Sequence, residues 1–489
     1  MAQTTIARPQ SFTPAYNPVK YIIDSTNKNN TGFKYIFDVY NGATLIGRFK
    51  TLPTFGTGYG ELDLSRFLSS YVSWDFDPNV TLDYDAANSY YQYQIKTGEE
   101  YLAEFTYTSA LTNSAGFVRV NVTNTFAIGD QINIVQADGG TANPLVEGLH
   151  SVTNSSGSWF EIGVAWSSVT DANIDGVVTY ADNRKVATYN VQTLSSSKVF
   201  NGARRWSEFV YWNADEYNLN DPTKYWLTNQ PLTNFSCTIA QDLWLNARAR
   251  VGKKIVFENS NGDLFNKTIV ANSTIQQIAV GPNNHGTLTP AVGTLPLVKD
   301  DTTYYEFWFD DAGQKSRKYR IDIDRRVQIS EYDVVFLDRM GSYSSFAFQL
   351  KSYERGEVSR EEYNKDVTGF VSGGQWSYNY EEFGYSTINL NAVKTLELNS
   401  NWMSQDMATY FEELVTSPQC FLKVVQYVTT EDGVPILDED GCLVLIAEST
   451  MYVPVIVATN SYEVFNQRNK NLMKQTIVVK LANNDAING

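Results

Sequence analysis

The sequence predicts a mainly β protein, made of several β-sandwich domains with an inserted small β-barrel and one short C-terminal helix. The first observation is composition: the 489-residue chain contains 31 Tyr and 26 Phe, and aromatic residues favour half-buried pleated sheets. The second is spacing, because Asn- and Gly-containing turns interrupt the apolar stretches at about ten-residue intervals, as in sandwiches and barrels. The third is length, which predicts roughly three or four domains.

The N-terminal segment, residues 1–19, is polar and contains Pro9, Pro14 and Pro18. Each proline removes a backbone donor and pushes the preceding residue towards extended geometry. We therefore expect an extended arm with no core of its own. Two interpretations remain open for it: it lies on a neighbouring subunit, or it is a frayed terminus.

The first sandwich is predicted from residue 20 to residue 112. Tyr35, Phe37 and Val39 alternate with Lys34 and Asp38, which indicates a strand with one buried and one exposed face. The following Asn-Gly pair at 41–42 is a strong hairpin signal.

Composition changes near residue 113 and changes back near residue 183. Between these positions the chain is rich in Gly, Ser, Thr, Asn and Val, and about five short strand patterns follow one another. We predict a small β-barrel over 113–183 that is inserted in a loop of a sandwich, since loops tolerate such insertions. The sandwich pattern resumes over 184–300.

The C-terminal sandwich is predicted over 301–489, with one helix near 404–416. Ser404 is a suitable N-cap, and Met407, Tyr410, Phe411 and Leu414 fall on one helical face. The run Ile477-Val478-Val479 is continuously apolar, which predicts a central strand.

An aromatic stretch over 199–226 is the most distinctive local feature. It favours a sandwich core rimmed by amphipathic aromatic side chains, and a sugar-stacking platform is the alternative. Together with the N-terminal arm it supplies the candidate interface residues, which are Pro14, Tyr16, Pro18, Trp206, Tyr211, Trp212 and Trp226.

The charge balance limits the partners. The net charge of −16 argues against specific nucleic-acid binding, which needs a basic footprint. The basic run from Lys315 to Arg320 is interpreted as a solvated strand edge. We expect neither a signal peptide nor membrane insertion, because the apolar runs are far shorter than the roughly 20 residues of a membrane span.

Catalytic and metal-binding patterns are sparse, and we expect no enzyme activity, no cofactor and no metal site. There are two histidines, His150 and His285, and three widely spaced cysteines, which are interpreted as isolated thiols. Paired carboxylates at Asp322 and Asp324 leave a glycosidase open. The other acidic candidates, considered for catalysis or calcium, are Glu381-Glu382, Glu412-Glu413 and Asp438-Glu439-Asp440-Gly441.

Several segments resemble virion proteins from phages of Bacteroidetes hosts, including crAss-like phages, and their order along the chain carries the resemblance. These segments are Thr13–Val19, Phe33–Tyr40, Val334–Gly341 with Phe346–Phe348, Tyr410–Pro418, Tyr452–Val457, Tyr462–Val464 and Arg468-Asn469. The resemblance implies a structural protein of a tail hub, ring or baseplate, located in the virion and made in the host cytoplasm. It implies no catalytic residue.

Three functions are therefore considered. The first is a tail subunit whose partners are its own copies and other tail or neck proteins, in a closed ring that we expect to be sixfold or twelvefold. The second is a head or tail fibre or receptor-binding protein, usually trimeric, that contacts the host surface through residues 199–226. The third is a polysaccharide depolymerase that uses a carboxylate such as Asp322.

Overall fold

The computed structural model describes residues 3–74, 76–77, 84–182, 184–249, 251–270, 273–290, 296–326, 332–365, 369–378, 384–427, 445–459 and 472–482. The chain is mainly β, as predicted, and forms two compact units. Unit 1 contains residues 1–13, 18–68 and 92–199, and unit 2 contains residues 14–17, 69–91 and 200–489.

Unit 1 begins with two sheets. A three-stranded antiparallel sheet consists, in spatial order, of Gln3–Ala7, Lys20–Ser25 and Gly60–Asp63. Most of a six-stranded sheet also lies in this unit, with strands Phe12–Pro14, Ser197–Phe200, Tyr90–Leu102, Lys34–Asn41 and Thr44–Thr51, and with Lys185–Thr193 also paired to Tyr90–Leu102. Tyr21 of the first sheet and Tyr93 of the second share a hydroxyl hydrogen bond of 3.0 Å, so the two sheets face each other as a sandwich.

The N-terminal segment is not the extended arm without core contacts that we expected. Gln3–Ala7 pairs with Lys20–Ser25, and the side chains of Gln3 and Phe12 are buried. Gln3 exchanges hydrogen bonds with Thr97 and Gly98. Backbone pairing within the chain therefore holds this segment against unit 1, although its polar composition suggested that it has no core contacts.

The inserted segment is an open half-barrel. One antiparallel sheet contains, in spatial order, Leu111–Ser114, Phe117–Val120, Trp159–Ala165, Gly148–Ser156, Gln131–Gln136, Gly176–Tyr180 and Glu104–Tyr107. Its buried side chains form a separate core that includes Phe126, Ile132 and Phe160. The sheet includes Glu104–Tyr107, so this substructure starts earlier than residue 113.

Unit 2 contains three larger sheets. The first is six-stranded: Phe235–Cys237, Tyr319–Ile323, Tyr304–Asp310, Lys254–Asn259, Leu264–Thr268 and Thr289–Pro290. The second is three-stranded: Trp244–Ala247, Gln276–Ala279 and Tyr84–Asp85. The third is seven-stranded: Tyr343–Phe348, Tyr332–Leu337, Cys420–Tyr427, Leu445–Val457, Thr476–Leu481, Tyr385–Asn399 and Tyr353–Asn364.

One hydrophobic core runs through unit 2. It combines side chains from the six-stranded sheet, such as Phe257 and Phe307, with side chains from the seven-stranded sheet, such as Phe336 and Ile477. The chain therefore does not divide at residue 300 as expected, because Phe235–Cys237 pairs in parallel with Tyr319–Ile323 across that position.

The predicted C-terminal helix is confirmed as Gln405–Val415, and its Ser404 side chain accepts a hydrogen bond from the Met407 N–H. Met407, Tyr410, Phe411 and Leu414 are buried in the unit 2 core. The remaining elements are short: helices Ser65–Leu68 and Trp206–Phe209, 3-10 turns Ser69–Tyr71, Ala87–Ser89, Trp166–Ser168 and Ala214–Tyr217, and strand pairs Phe370–Ser372 with Gln375–Ser377 and Met403–Ser404 with Leu472–Met473. Among the described residues, no helix has the length and apolarity needed to cross a membrane.

Candidate assembly interface

A two-stranded ribbon, which we call the arm, extends from the seven-stranded sheet of unit 2. Tyr353–Asn364 runs antiparallel to Tyr385–Asn399, and all 12 residues of Tyr353–Asn364 are exposed. At its foot, Thr395–Asn399 also pairs with Thr476–Lys480. At about 3.3 Å per residue, the stretch from Gly356 to Asn364 adds roughly 30 Å of ribbon beyond that foot.

The arm is held in register by its own contacts. Arg355 pairs with Glu397 at 2.6 Å, and Lys394 pairs with Glu354 at 3.5 Å. Ile388 is the extra residue of a β-bulge, which increases the local twist of the ribbon.

Large hydrophobic side chains are exposed along the arm, among its charged ones. Its exposed large hydrophobic residues are Tyr353, Val358, Tyr363, Phe370, Val371, Trp376, Tyr378, Tyr385 and Ile388. A two-stranded ribbon is marginally stable by itself in water, and its open edges can pair with another chain. Exposed apolar groups on such an element make it a candidate contact surface.

The tip of the arm is a tight hairpin. Phe370–Ser372 pairs with Gln375–Ser377, and the turn residues Gly373 and Gly374 have φ values of +62° and +84°. Positive φ at both positions fits a type I′ turn, which favours glycine. The indole of Trp376 lies against the backbone of Gly369, where any Cβ would collide with it, and Trp376 is nevertheless 59% exposed.

A cavity of about 380 Å³ opens elsewhere on unit 2, next to the C-terminal end of the Gln405–Val415 helix. We call it the helix-end cavity. Its lining consists of Tyr16, Trp74, Asn201, Gly202, Ala203, Leu337, Asp338, Arg339, Glu413, Thr416, Ser417 and Pro418. The rings of Tyr16 and Trp74 are partly exposed, whereas Asn201 is 3% exposed. Within the described part of the chain, the buried Oδ1 of Asn201 has no hydrogen-bond partner.

One residue of the cavity lining, Asp338, is a buried acidic group. The Asp338 carboxylate accepts hydrogen bonds from the Thr228 hydroxyl at 2.7 Å and from the N–H groups of Met340 and Ser342 at 2.9 Å. Burial, together with the nearby Glu413 charge, raises the pKa of Asp338 to about 7. Burial also raises the pKa of Glu413, which accepts a hydrogen bond from the Arg339 backbone N–H.

Arginines neutralise the neighbouring Glu412, which accepts from Arg339 at 2.7 Å and also from Arg205. These contacts fix the loop after Tyr332–Leu337 to the helix. The acidic pair Glu412-Glu413 therefore serves this junction, which forms one wall of the helix-end cavity.

The seven residues proposed from sequence as an interface fall into two groups. Tyr16, Trp206 and Tyr211 are exposed, and Pro18 is half-buried. Pro14, Trp212 and Trp226 are buried within the chain, so no partner reaches them in this conformation. Trp226 packs edge-on against Phe307 and its indole N–H donates to Ser316, while Trp212 stacks on Tyr217.

The paired carboxylates Asp322 and Asp324 line an open groove with Trp402. Arg320 donates to Asp322 at 2.8 Å, and Arg326 donates to Asp324 at 2.6 Å. Although burial opposes it, hydrogen bonding and charge from Arg326 lower the pKa of Asp324. A glycosidase acid needs a raised pKa, so the environment of Asp324 favours charge pairing.

The basic run from Lys315 to Arg320 forms ion pairs with acidic residues of the same sheet. Lys318 pairs with Glu258 at 3.0 Å and with Glu306 at 3.2 Å, and Arg317 stacks over Tyr225. The run does not lie on an edge strand as interpreted, because Tyr319–Ile323, which contains its end, pairs with strands on both sides. Carboxylates of the same sheet neutralise Lys318.

The histidines and the described cysteines make local contacts. A ring nitrogen of His150 lies 2.9 Å from the Val146 carbonyl oxygen, and one of His285 lies 2.7 Å from that of Gly286. Cys237 and Cys420 are free buried thiols, and burial raises the pKa of Cys420 to about 12. No group of three or more His, Cys, Asp or Glu side chains in the described ranges could hold a metal. Cys442, Glu381-Glu382 and Asp438–Gly441 lie outside the described residues.

No protein-family model matches the chain, and no curated protein matches it.

Proposed function

We propose that the protein is a structural subunit of a bacteriophage tail, in a hub, ring or baseplate tier, and that its copies assemble into a symmetric oligomer. One structural observation carries the assembly part: the arm presents aromatic and aliphatic side chains that the described chain leaves uncovered. The tail part rests on the resemblance of Thr13–Val19, Phe33–Tyr40, Val334–Gly341 and Tyr410–Pro418 to virion proteins.

The arm suits this role because it is a long element that adds nothing to the core of its own unit. Leu398, Ile477 and Val479, from the strands at the foot of the arm, are buried in the unit 2 core. No described residue of the arm beyond this foot is among the buried core residues. Covering the arm on a second copy would remove its apolar surface from water and pair its open edges. Both effects favour association.

The experiment is to shorten the arm. Residues 357–393 are replaced by Asn-Gly, which joins Gly356 to Lys394, a directly opposed pair, through a two-residue turn. We expect negative-stain images of the unmodified chain to show closed particles of one size and those of the shortened chain to show monomers. Phe55→Ser, at a fully exposed unit 1 position, controls for the loss of an exposed apolar side chain outside the arm and should leave the particles intact. Closed particles formed by the shortened chain would contradict the role of the arm.

A receptor-binding protein is the second candidate. It is favoured by the exposure of Trp206 (72%) and Tyr211 (81%), next to a groove that Arg204 and Glu208 help to line. Aromatic faces beside charged groups suit contact with sugars or surface proteins. This candidate predicts a trimer that binds host-surface glycan and loses that binding in Trp206→Ala.

A further inference from the structure

The outer edge of the arm is an open and regular strand edge. Tyr353–Asn364 is the last strand of its sheet, and within the described part of the chain it pairs only with Tyr385–Asn399. The extra residue of the β-bulge, Ile388, belongs to Tyr385–Asn399, so the ladder along Tyr353–Asn364 is uninterrupted. Every second residue of such an edge directs its backbone N–H and C=O away from the sheet, where another strand can pair with them.

The side chains along this strand are arranged symmetrically about Val358. Tyr353 and Tyr363 lie at equal distances in sequence on either side of it, and all three are large exposed hydrophobic residues. Arg355 and Glu361 also lie at equal distances from Val358, and their charges are opposite. A strand with this symmetry matches a second copy of itself that runs antiparallel.

We propose that Tyr353–Asn364 pairs antiparallel with the same strand of a second copy, about a twofold axis at Val358. This inference rests on the proposed function, because it requires that copies of the chain associate. It identifies the partner of the arm as the chain itself, and it fixes the register of the contact.

The apolar side chains of the strand meet one another in this register. Tyr353 of each copy faces Tyr363 of the other, and Val358 faces its own equivalent. Directly opposed side chains lie close enough to touch, and aromatic and β-branched pairs of this kind stabilise a sheet. The contact therefore covers all three of the large hydrophobic residues that one copy exposes along this strand.

The charged side chains are complementary at the next positions. Arg355 of each copy faces Glu361 of the other. The side chain of Arg355 is 66% exposed while it pairs with Glu397 in its own copy. A guanidinium has five N–H donors, so it can bind a second carboxylate without losing the first.

One like-charged pair remains, because Glu354 faces Glu362 of the second copy. Two cations offset this repulsion. Lys394 lies 3.5 Å from Glu354 within the same copy. Arg360 of the second copy is the diagonal neighbour of Glu354 on the same face, and diagonal neighbours are within reach of long side chains.

The charges also select this register over its neighbours. Opposed residues of an antiparallel ladder both face the partner strand or both face away from it, so the pairing can slip only to registers with another residue on the axis. With Glu357 on the axis, the two Glu357 carboxylates meet, and with Ser359 on the axis, Glu357 meets Glu361. Like charges directly opposite are destabilising, and neither slip pairs the tyrosines with each other.

The proposed contact is isologous, because both copies use the same surface. Main-chain hydrogen bonds supply the affinity of such strand additions, and side-chain pairs supply their specificity. The contact joins copies two by two, so an assembly that contains it throughout has an even number of copies. Six and twelve both meet this requirement.

Two charge reversals test the register. Arg355→Glu and Glu361→Arg each place like charges opposite each other on both sides of the axis. Each variant alone should therefore associate about tenfold more weakly than the unmodified chain, as measured by sedimentation velocity. In an equimolar mixture, a pair formed by one copy of each variant has opposite charges at both positions, so mixing should restore the association.

The mixture also separates this contact from damage to the arm itself. Arg355→Glu loses the ion pair with Glu397 in every copy, mixed or not, so that loss cannot be rescued by the second variant. Glu104→Arg, an exposed reversal in the inserted segment, is the control for added charge and should associate as the unmodified chain does.

A single cysteine tests the position of the axis. Val358→Cys places one thiol opposite its own equivalent, with the Cβ atoms about 5 Å apart, so oxidation should give a covalent dimer. Asn364→Cys, exposed at the end of the same strand, should not, because its equivalents lie about 40 Å apart along the antiparallel pair. The unmodified chain gives the background from its native cysteines.

The outcomes separate the two proposals. A monomeric unmodified chain would overturn both the proposed function and this inference. An oligomeric chain in which the mixture associates as weakly as its components, or in which Val358→Cys forms no covalent dimer, would overturn this inference alone.

Discussion

At the residue scale, unit 2 depends on a few buried polar groups that connect distant segments. Lys423 and Asp242 form an ion pair of 2.6 Å in which both side chains are almost fully buried. Lys423 also donates to the Ala240 carbonyl, and Asp242 accepts from Tyr452 and Asn283. Asp338 has a similar role between the Thr228 segment and the Gln405–Val415 helix, because Tyr410 lies 3.3 Å from its carboxylate.

Removing Lys423 should be strongly destabilising. Lys423→Met leaves the Asp242 carboxylate buried without its cation, and such a change costs about 3–5 kcal/mol of unfolding free energy. Lys253→Met is the control, because Lys253 pairs with Asp311 at 2.7 Å but is itself 42% exposed, and the expected loss is under about 1 kcal/mol. Urea unfolding followed by tryptophan fluorescence measures both, and equal losses would contradict the account.

Asp338 should make the stability of unit 2 depend on pH. Its pKa is about 7 in the folded chain and about 3.9 in an unfolded one, so the folded state holds the proton more tightly. Stability should therefore fall as pH rises from about 4 to about 7, by on the order of a few kcal/mol, and then level off.

Asp338→Asn tests this directly through the pH dependence of the melting temperature. The variant loses acceptor capacity and should be less stable overall, but its melting temperature should fall less between pH 5 and pH 8 than that of the unmodified chain. A smaller decrease of the melting temperature with pH should remain in the variant, because the pKa of Glu413 is also raised. Parallel pH profiles for the two chains would show that Asp338 does not titrate in this range.

At the element scale, local patterns predicted the regular strands and the helix well. The Asn-Gly pair at 41–42 joins Lys34–Asn41 to Thr44–Thr51, and Ser404 caps the helix as expected. Thr476–Leu481 is central, since strands pair on both of its sides. Its buried side chains, Ile477 and Val479, alternate with exposed or half-buried ones.

The arm was not predicted, and the reason is physical. Tyr353–Asn364 is rich in Glu and Arg and lacks an apolar alternation, because neither face of the strand is buried within its own chain. Gly373-Gly374 between Val371 and Trp376 was the available hairpin signal. The helix-end cavity could not be found from sequence either, since Tyr16, Trp74, Asn201 and Pro418 meet only after folding.

The helix cap offers a further test at this scale. Ser404→Ala removes the acceptor for the Met407 N–H, at 3.2 Å, and should cost about 1 kcal/mol of unfolding free energy. The Ser404 hydroxyl also contacts the Asn234 carbonyl, so Ser404→Asp, which caps but cannot donate, separates the two contacts. If Ser404→Asp is as unstable as Ser404→Ala, the contact with Asn234 matters more than the cap.

At the scale of the whole molecule, composition predicted a mainly β fold but did not predict how the chain divides into domains. Aromatic content and turn spacing identified a mainly β chain. The shift in composition near residue 113 did not mark the start of the seven-stranded sheet, which already includes Glu104–Tyr107. The sandwiches were harder to separate, because parallel pairing of Phe235–Cys237 with Tyr319–Ile323 joins segments that are far apart in sequence. Pairing between distant segments leaves no local signal.

We propose that copies of this chain assemble through surfaces that one copy leaves uncovered. The most direct measurement is the molar mass of the unmodified protein by light scattering over a dilution series. We expect a plateau at a fixed multiple of 55.1 kDa, with six or twelve copies, and dissociation to monomers on dilution. A mass of 55.1 kDa at every concentration would contradict it.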